Sequence, residues 1–232
     1  MSNIVPAAIQ LPSPKVIRWF IALSVIGCAC TLGADIAANF WSPSFATPFQ
    51  ERLSQHGPLR LWVASIGNLL TMPIHLIGLF LIYLATRPAG PFWSLAPIGL
   101  FVVLLMTYPQ FIHSSWWFIG DASSCTEPQC AAVLARFEQR VRTEFSYFRI
   151  GTVLASIWLV IPILRGRTLL PRWVGVLPFV FIPAVIVLIL GLVFSSVPPS
   201  LVHLFGGPFL LGILYVASGF CYLRVVSSNR LG

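Results

Sequence analysis

Phe145 to Leu164 is a run of twenty residues holding a single charge, Arg149. As a helix it rises ~30 Å, the thickness of a bilayer's hydrocarbon core. An arginine at the centre of such a helix costs ~2.5–3.5 kcal/mol on insertion scales. Arg149 is therefore expected near an end, paired, or lining a wet cavity. Only 9% of the 232 residues are charged and 57% are hydrophobic, with a mean hydropathy of +0.89. A water-facing globular surface needs about 25% charged residues, so lipid must be the solvent of this chain.

The same reading places the other apolar runs. The spacing predicts spans over residues 17–40, 61–85, 92–119, 145–164, 173–195 and 201–223, after a polar tail at 1–14 and before one at 226–232. The first run stays apolar past Cys28, too long for the core of a cleaved signal peptide. Pro43, Pro48, Gly57 and Pro58 break the loop that follows it. Arg87-Pro-Ala-Gly-Pro91 reads as a tight turn that lays span three antiparallel to span two. Between spans three and four, Val133, Leu134, Phe137 and Val141 recur at helical spacing. They predict a short amphipathic helix on the outer membrane surface, running into span four. The expected fold class is thus an all-α integral membrane bundle of six transmembrane helices.

Charge sets the orientation. One side of that topology carries Lys15, Arg18, Arg87, Arg165, Arg167, Arg172, Arg224 and Arg230 with no acid. The other balances Arg52, Arg60, Arg136, Arg140 and Arg142 against Glu51, Asp121, Glu127, Glu138 and Glu144. The positive-inside rule then puts both termini in the cytoplasm of a bacterial-type inner membrane. The net charge of +8 is accounted for by these topology-setting positions, and nucleic acid is not an expected partner. Cys125 and Cys130 fall in the outer loop, where an oxidising compartment favours a disulfide across Thr126–Gln129. The alternative is two free thiols. The loop has too few ligands for a metal site.

Hydrophilic residues within the spans are scarce, so their helical phase is informative. Thr31, Asp35 and Asn39 share a face of span one. Asn68, Thr71 and His75 share a face of span two. Gln110, His113 and Trp117 lie on span three, Arg149, Thr152 and Ser156 on span four, and Ser200, His203 and Gly207 on span six. If these faces converge, they form an outward-biased polar cavity in which Asp35 and Arg149 pair. Asp35, His75 and His113 are then the candidate acid/base residues. Asn39, Asn68, Gln110, Arg149 and His203 are the candidate ligand-binding residues, with Tyr108 and Tyr147 as further hydroxyls. If they do not converge, the same side chains are interhelical glue worth ~0.6 kcal/mol each. An alternative reading makes His113 and His203 metal or haem ligands, but no spacing such as HExxH accompanies them. No metal or cofactor is expected, and no P-loop, GxGxxG or GxSxG is present.

Three stretches resemble a group of uncharacterised bacterial multi-pass membrane proteins. They are Gly33-Ala-Asp35, Gly67 to Gly90, and Gly166-Arg-Thr-Leu-Leu-Pro-Arg-Trp173. The resemblance implies a fold and no activity. Function stays open among three classes. One is a membrane-embedded enzyme doing acid/base chemistry on a lipid or isoprenoid-like substrate. The second is a small transporter, channel or sensor binding a ligand or proton. The third is a non-catalytic subunit with polar packing only. Membrane lipid and a lipophilic small molecule are the expected partners.

Overall fold

The computed structural model describes residues 12–39, 58–123, 127–176 and 208–228. Among these residues the chain is helical, with no strand. We number the helices α1 (Pro14–Asn39), α2 (Pro58–Thr86), α3 (Pro91–Ser123), α4 (Pro128–Leu164) and α5 (Pro208–Ser228), with short 3-10 turns at Arg87–Ala89 and Arg172–Val176. Among the described residues four stretches are long and apolar enough to cross a membrane: Pro14–Ala34, Leu59–Ala89, Ser146–Leu164 and Leu211–Ser228. Expected span five lies outside the described residues beyond Val176, as does the first part of expected span six.

The helix starts follow from proline. Pro14, Pro91 and Pro128 each open a helix. Proline's missing N–H is harmless there, its φ is already helical, and the residue before it is pushed out of the helical region. The ends follow from glycine. Gly90, at φ 95° and ψ 162°, occupies backbone space that only glycine enters without strain. Its N–H donates to the Arg87 carbonyl at 3.0 Å, and its own carbonyl accepts from Trp93 and Ser94. The expected tight turn is therefore present, and α3 packs back along α2. At the end of α4, Gly166 has φ 65°. Its N–H reaches the Ile163 carbonyl and that of Arg167 reaches the Pro162 carbonyl, both at 2.9 Å. This pair of bonds caps the last turn's carbonyls in the Schellman manner.

The expected amphipathic stretch does run into span four: α4 is unbroken for 37 residues from Pro128 to Leu164. Nothing in the sequence interrupts it: no proline occurs between Pro128 and Pro162, and Gly151 is its only glycine. That glycine lies against the Leu104 side chain of α3.

α2 is the centre of the packing. It contacts α1, α3 and α5, α1 also packs on α5, and α4 joins through α3. The link from α4 onward folds back beneath this assembly. Leu169 N–H donates to the Ala85 carbonyl at 2.8 Å, giving a partner to a carbonyl that the end of α2 would leave orphaned. Leu170 and Val174 are buried beside Leu159 and Ile163 of α4. Outward faces carry large apolar side chains, among them Trp19, Leu70, Val103, Ile150, Leu154 and Phe220, while Ser24, Thr31, Asn68, Thr71, His75, Ser156 and Ser218 are buried. Polar side chains taken inside among an apolar core, with apolar side chains facing out, are the arrangement that a lipid solvent selects.

Candidate functional site

The three-way junction of α1, α2 and α5 closes on His75. This residue stands near the middle of the Leu59–Ala89 apolar stretch and is 2% exposed. One turn earlier on the same face of α2 is Thr71, with Asn68 a further turn back; both are buried. α1 contributes Thr31 and Cys28, three residues apart and therefore on one face. α5 contributes Tyr215, whose ring is fully buried. Tyr215 lies across Gly78, where a Cβ would overlap the ring. The glycine is what lets the phenol reach back to His75.

The contacts form a chain. Thr31 Oγ1 is 3.0 Å from His75 Nε2 and 2.7 Å from Thr71 Oγ1. Thr71 Oγ1 donates to the backbone carbonyls of Gly67 at 3.0 Å and Asn68 at 3.1 Å. On the other side of the ring, Tyr215 Oη is 3.4 Å from His75 Nδ1, and Cys28 Sγ is 3.9 Å from the same nitrogen. Donor counting links the directions. With the Thr71 hydroxyl donating to a carbonyl, it accepts from Thr31, and Thr31 accepts from Nε2–H. In a neutral ring that arrangement leaves the lone pair on Nδ1; hydroxyls turned the other way reverse the chain. The two sides are unequal: Nε2 is held by a short bond, whereas Nδ1 meets a long hydroxyl contact and a weakly bonding thiol.

Of the expected site residues, Asn68 and His75 are in this described interior. Asn68 Nδ2 donates to the Ala64 carbonyl at 3.2 Å. Thr31 and Thr71 from the same sequence stripes belong to the network, and Ser156 of α4 is buried away from it. Asp35 and Asn39 lie on α1, Gln110 and His113 on α3, and Arg149 on α4, with side chains outside the described residues. His203 and Cys125 fall outside them entirely. Cys130 stands in the first turn of α4, so the expected bridge to Cys125 is not tested. α1 and α4 make no substantial contact among the described residues, so the helices bearing Asp35 and Arg149 are linked through α2 and α3. Tyr147 is exposed.

Sequence reasoning missed Tyr215 and Cys28 as partners of His75. The signal for Tyr215 was its place in the middle of the last apolar run, since a phenol far from an interface needs an internal partner. Cys28, read as a packing residue, is free and packs at the seam with α5, where Gly212 faces it. Among the described residues no group of three or more metal-ligating side chains forms. No family model, curated protein or solved structure matches the chain.

Proposed function

We propose that the chain is a multi-pass membrane enzyme doing acid/base chemistry on a lipid or isoprenoid-like substrate, with His75 as the base. The observation that carries this reading is the asymmetry at the imidazole. Thr31 orients the ring through Nε2, as the orienting member of a catalytic dyad or triad does. The Nδ1 lone pair faces only the weaker Tyr215 and Cys28 contacts, and the Tyr215 hydroxyl is the group a substrate displaces. A neutral imidazole is the form a base needs. At mid-depth only a lipophilic molecule reaches it.

The finer topology belongs to the same proposal. It has six spans, both termini in the cytoplasm of an inner membrane, a Cys125–Cys130 disulfide outside, and Asp35 and His113 as further acid/base groups. Asn39, Asn68, Gln110, Arg149 and His203 bind the polar part of the substrate. The distribution of arginine against acid along the sequence supports the orientation. A second reading, packing only, is favoured by the fact that Thr31, Thr71 and His75 all find partners within the network. The transporter, channel or sensor reading would use the same residues to hold a ligand or proton.

Lipid extracts from membranes expressing the wild type, His75→Gln or Thr31→Val distinguish these readings. The enzyme reading expects a lipid species that changes with the wild type, at least ten-fold less with His75→Gln, and by an intermediate amount with Thr31→Val. Identical lipid profiles, with both variants merely less stable, mean packing only.

A further inference from the structure

The positively charged end of the bundle contains a second site unrelated to His75. Where the first turns of α1 meet the last turns of α5, a cleft of about 530 Å³ opens, lined by Pro14, Arg18, Ile21, Ala22, Phe220, Leu223, Arg224 and Ser227. Its composition is divided. Ile21, Ala22, Phe220 and Leu223 make an apolar wall, and Phe220 is 60% exposed. Arg18 and Arg224 supply two guanidiniums, one from each helix. Both are exposed, and neither forms an ion pair among the described residues. No acid lines the cleft. The six acidic residues of the chain are Asp35, Glu51, Asp121, Glu127, Glu138 and Glu144, none of them in the segments that form this end.

We infer that this cleft binds an anionic phospholipid, its phosphate held between Arg18 and Arg224 and an acyl chain laid along Ile21, Ala22 and Phe220. Charge complementarity selects the occupant. Guanidinium is a planar fork that matches phosphate oxygens bidentately and is only weakly hydrated. The helix ends contribute little net field, because the N-terminus of α1 and the C-terminus of α5 lie together and carry opposite partial charges. The two side chains therefore carry the attraction. A soluble anion would have no use for the apolar wall, and a zwitterionic lipid would bring an ammonium against two arginines. Basic pockets between spans on the cytoplasmic side are where anionic headgroups are recognised.

The test is lipid retention by the purified full-length protein in detergent, read by native mass spectrometry. Phosphatidylglycerol, phosphatidylcholine and inorganic phosphate are offered at equal concentration. The expected result is preferential retention of phosphatidylglycerol, weakened about five-fold by losing either arginine and ~thirty-fold by the Arg18→Gln/Arg224→Gln double variant. Arg165→Gln/Arg167→Gln removes the same charge from the same end but outside the cleft, and retention should then stay within about two-fold of wild type. Equal retention of the two lipids overturns the inference. So does equal loss in both double variants, which would mean bulk charge, or competition by inorganic phosphate, which would mean a soluble-anion site. If the Arg18→Gln/Arg224→Gln variant does not fold, Arg18→Lys/Arg224→Lys replaces it. Keeping the charge but losing the bidentate fork, it should still prefer phosphatidylglycerol over phosphatidylcholine, and loss of that preference overturns the inference equally.

Discussion

Gly78 carries more of the site than its size implies. It is the space into which the Tyr215 ring fits, and the ring is what brings a hydroxyl to His75 Nδ1. Gly78→Ala must push a fully buried ring aside, at a cost of about 1–3 kcal/mol. It should lower the thermal midpoint of the purified protein and weaken the Tyr215–His75 contact. Gly99→Ala is the matched control, since a Cβ there meets nothing within 4 Å; its midpoint should be unchanged or slightly raised. Equal midpoints for the two variants would mean that α5 does not sit against α2 as described. At this scale the sequence was partly readable. Steps of three and four placed Asn68, Thr71 and His75 on one face, and all three are buried together. The partners across the junction were not readable, because helical phase says which residues share a helix face and nothing about which helix that face meets.

The two longest described helices far exceed what a membrane requires. α3 has 33 residues, about 50 Å of helix, and α4 has 37, about 55 Å. They pack on one another, and each exceeds the ~30 Å hydrocarbon core. Tilt absorbs part of the excess. In α4 the rest is residues 128–145, ahead of the apolar stretch Ser146–Leu164. The apolar runs were legible because lipid imposes a length on them. The run of the amphipathic stretch into α4 was legible too, because no breaker lies between Pro128 and Pro162; whether it lies along the surface or projects was not, because both share the same periodicity. Turns were legible where glycine was required. Gly90→Ala forces a side chain into backbone space that costs of order 1–3 kcal/mol. It should loosen the α2–α3 hairpin, read as faster amide exchange at Trp93 and Ser94. Unchanged protection there would contradict the hairpin geometry.

On the scale of the whole molecule, the described bundle takes Ser24, Thr31, Asn68, Thr71 and His75 into its interior and turns large apolar side chains outward. The composition announced the apolar exterior: a chain with 9% charged residues cannot cover such faces with charge. What composition could not announce was the point at which the polar residues meet. That point is the His75 imidazole between α1, α2 and α5, and the functional proposal rests on a neutral ring with Nδ1 as the base. The direct measurement is the nitrogen NMR spectrum of the ¹⁵N-histidine-labelled protein at neutral pH, with the His75 signals assigned by their absence in His75→Gln. A neutral ring protonated at Nε2, with Thr31→Val shifting its resonances, is the predicted result. A doubly protonated ring, or one protonated at Nδ1 and unaffected by Thr31→Val, would contradict it.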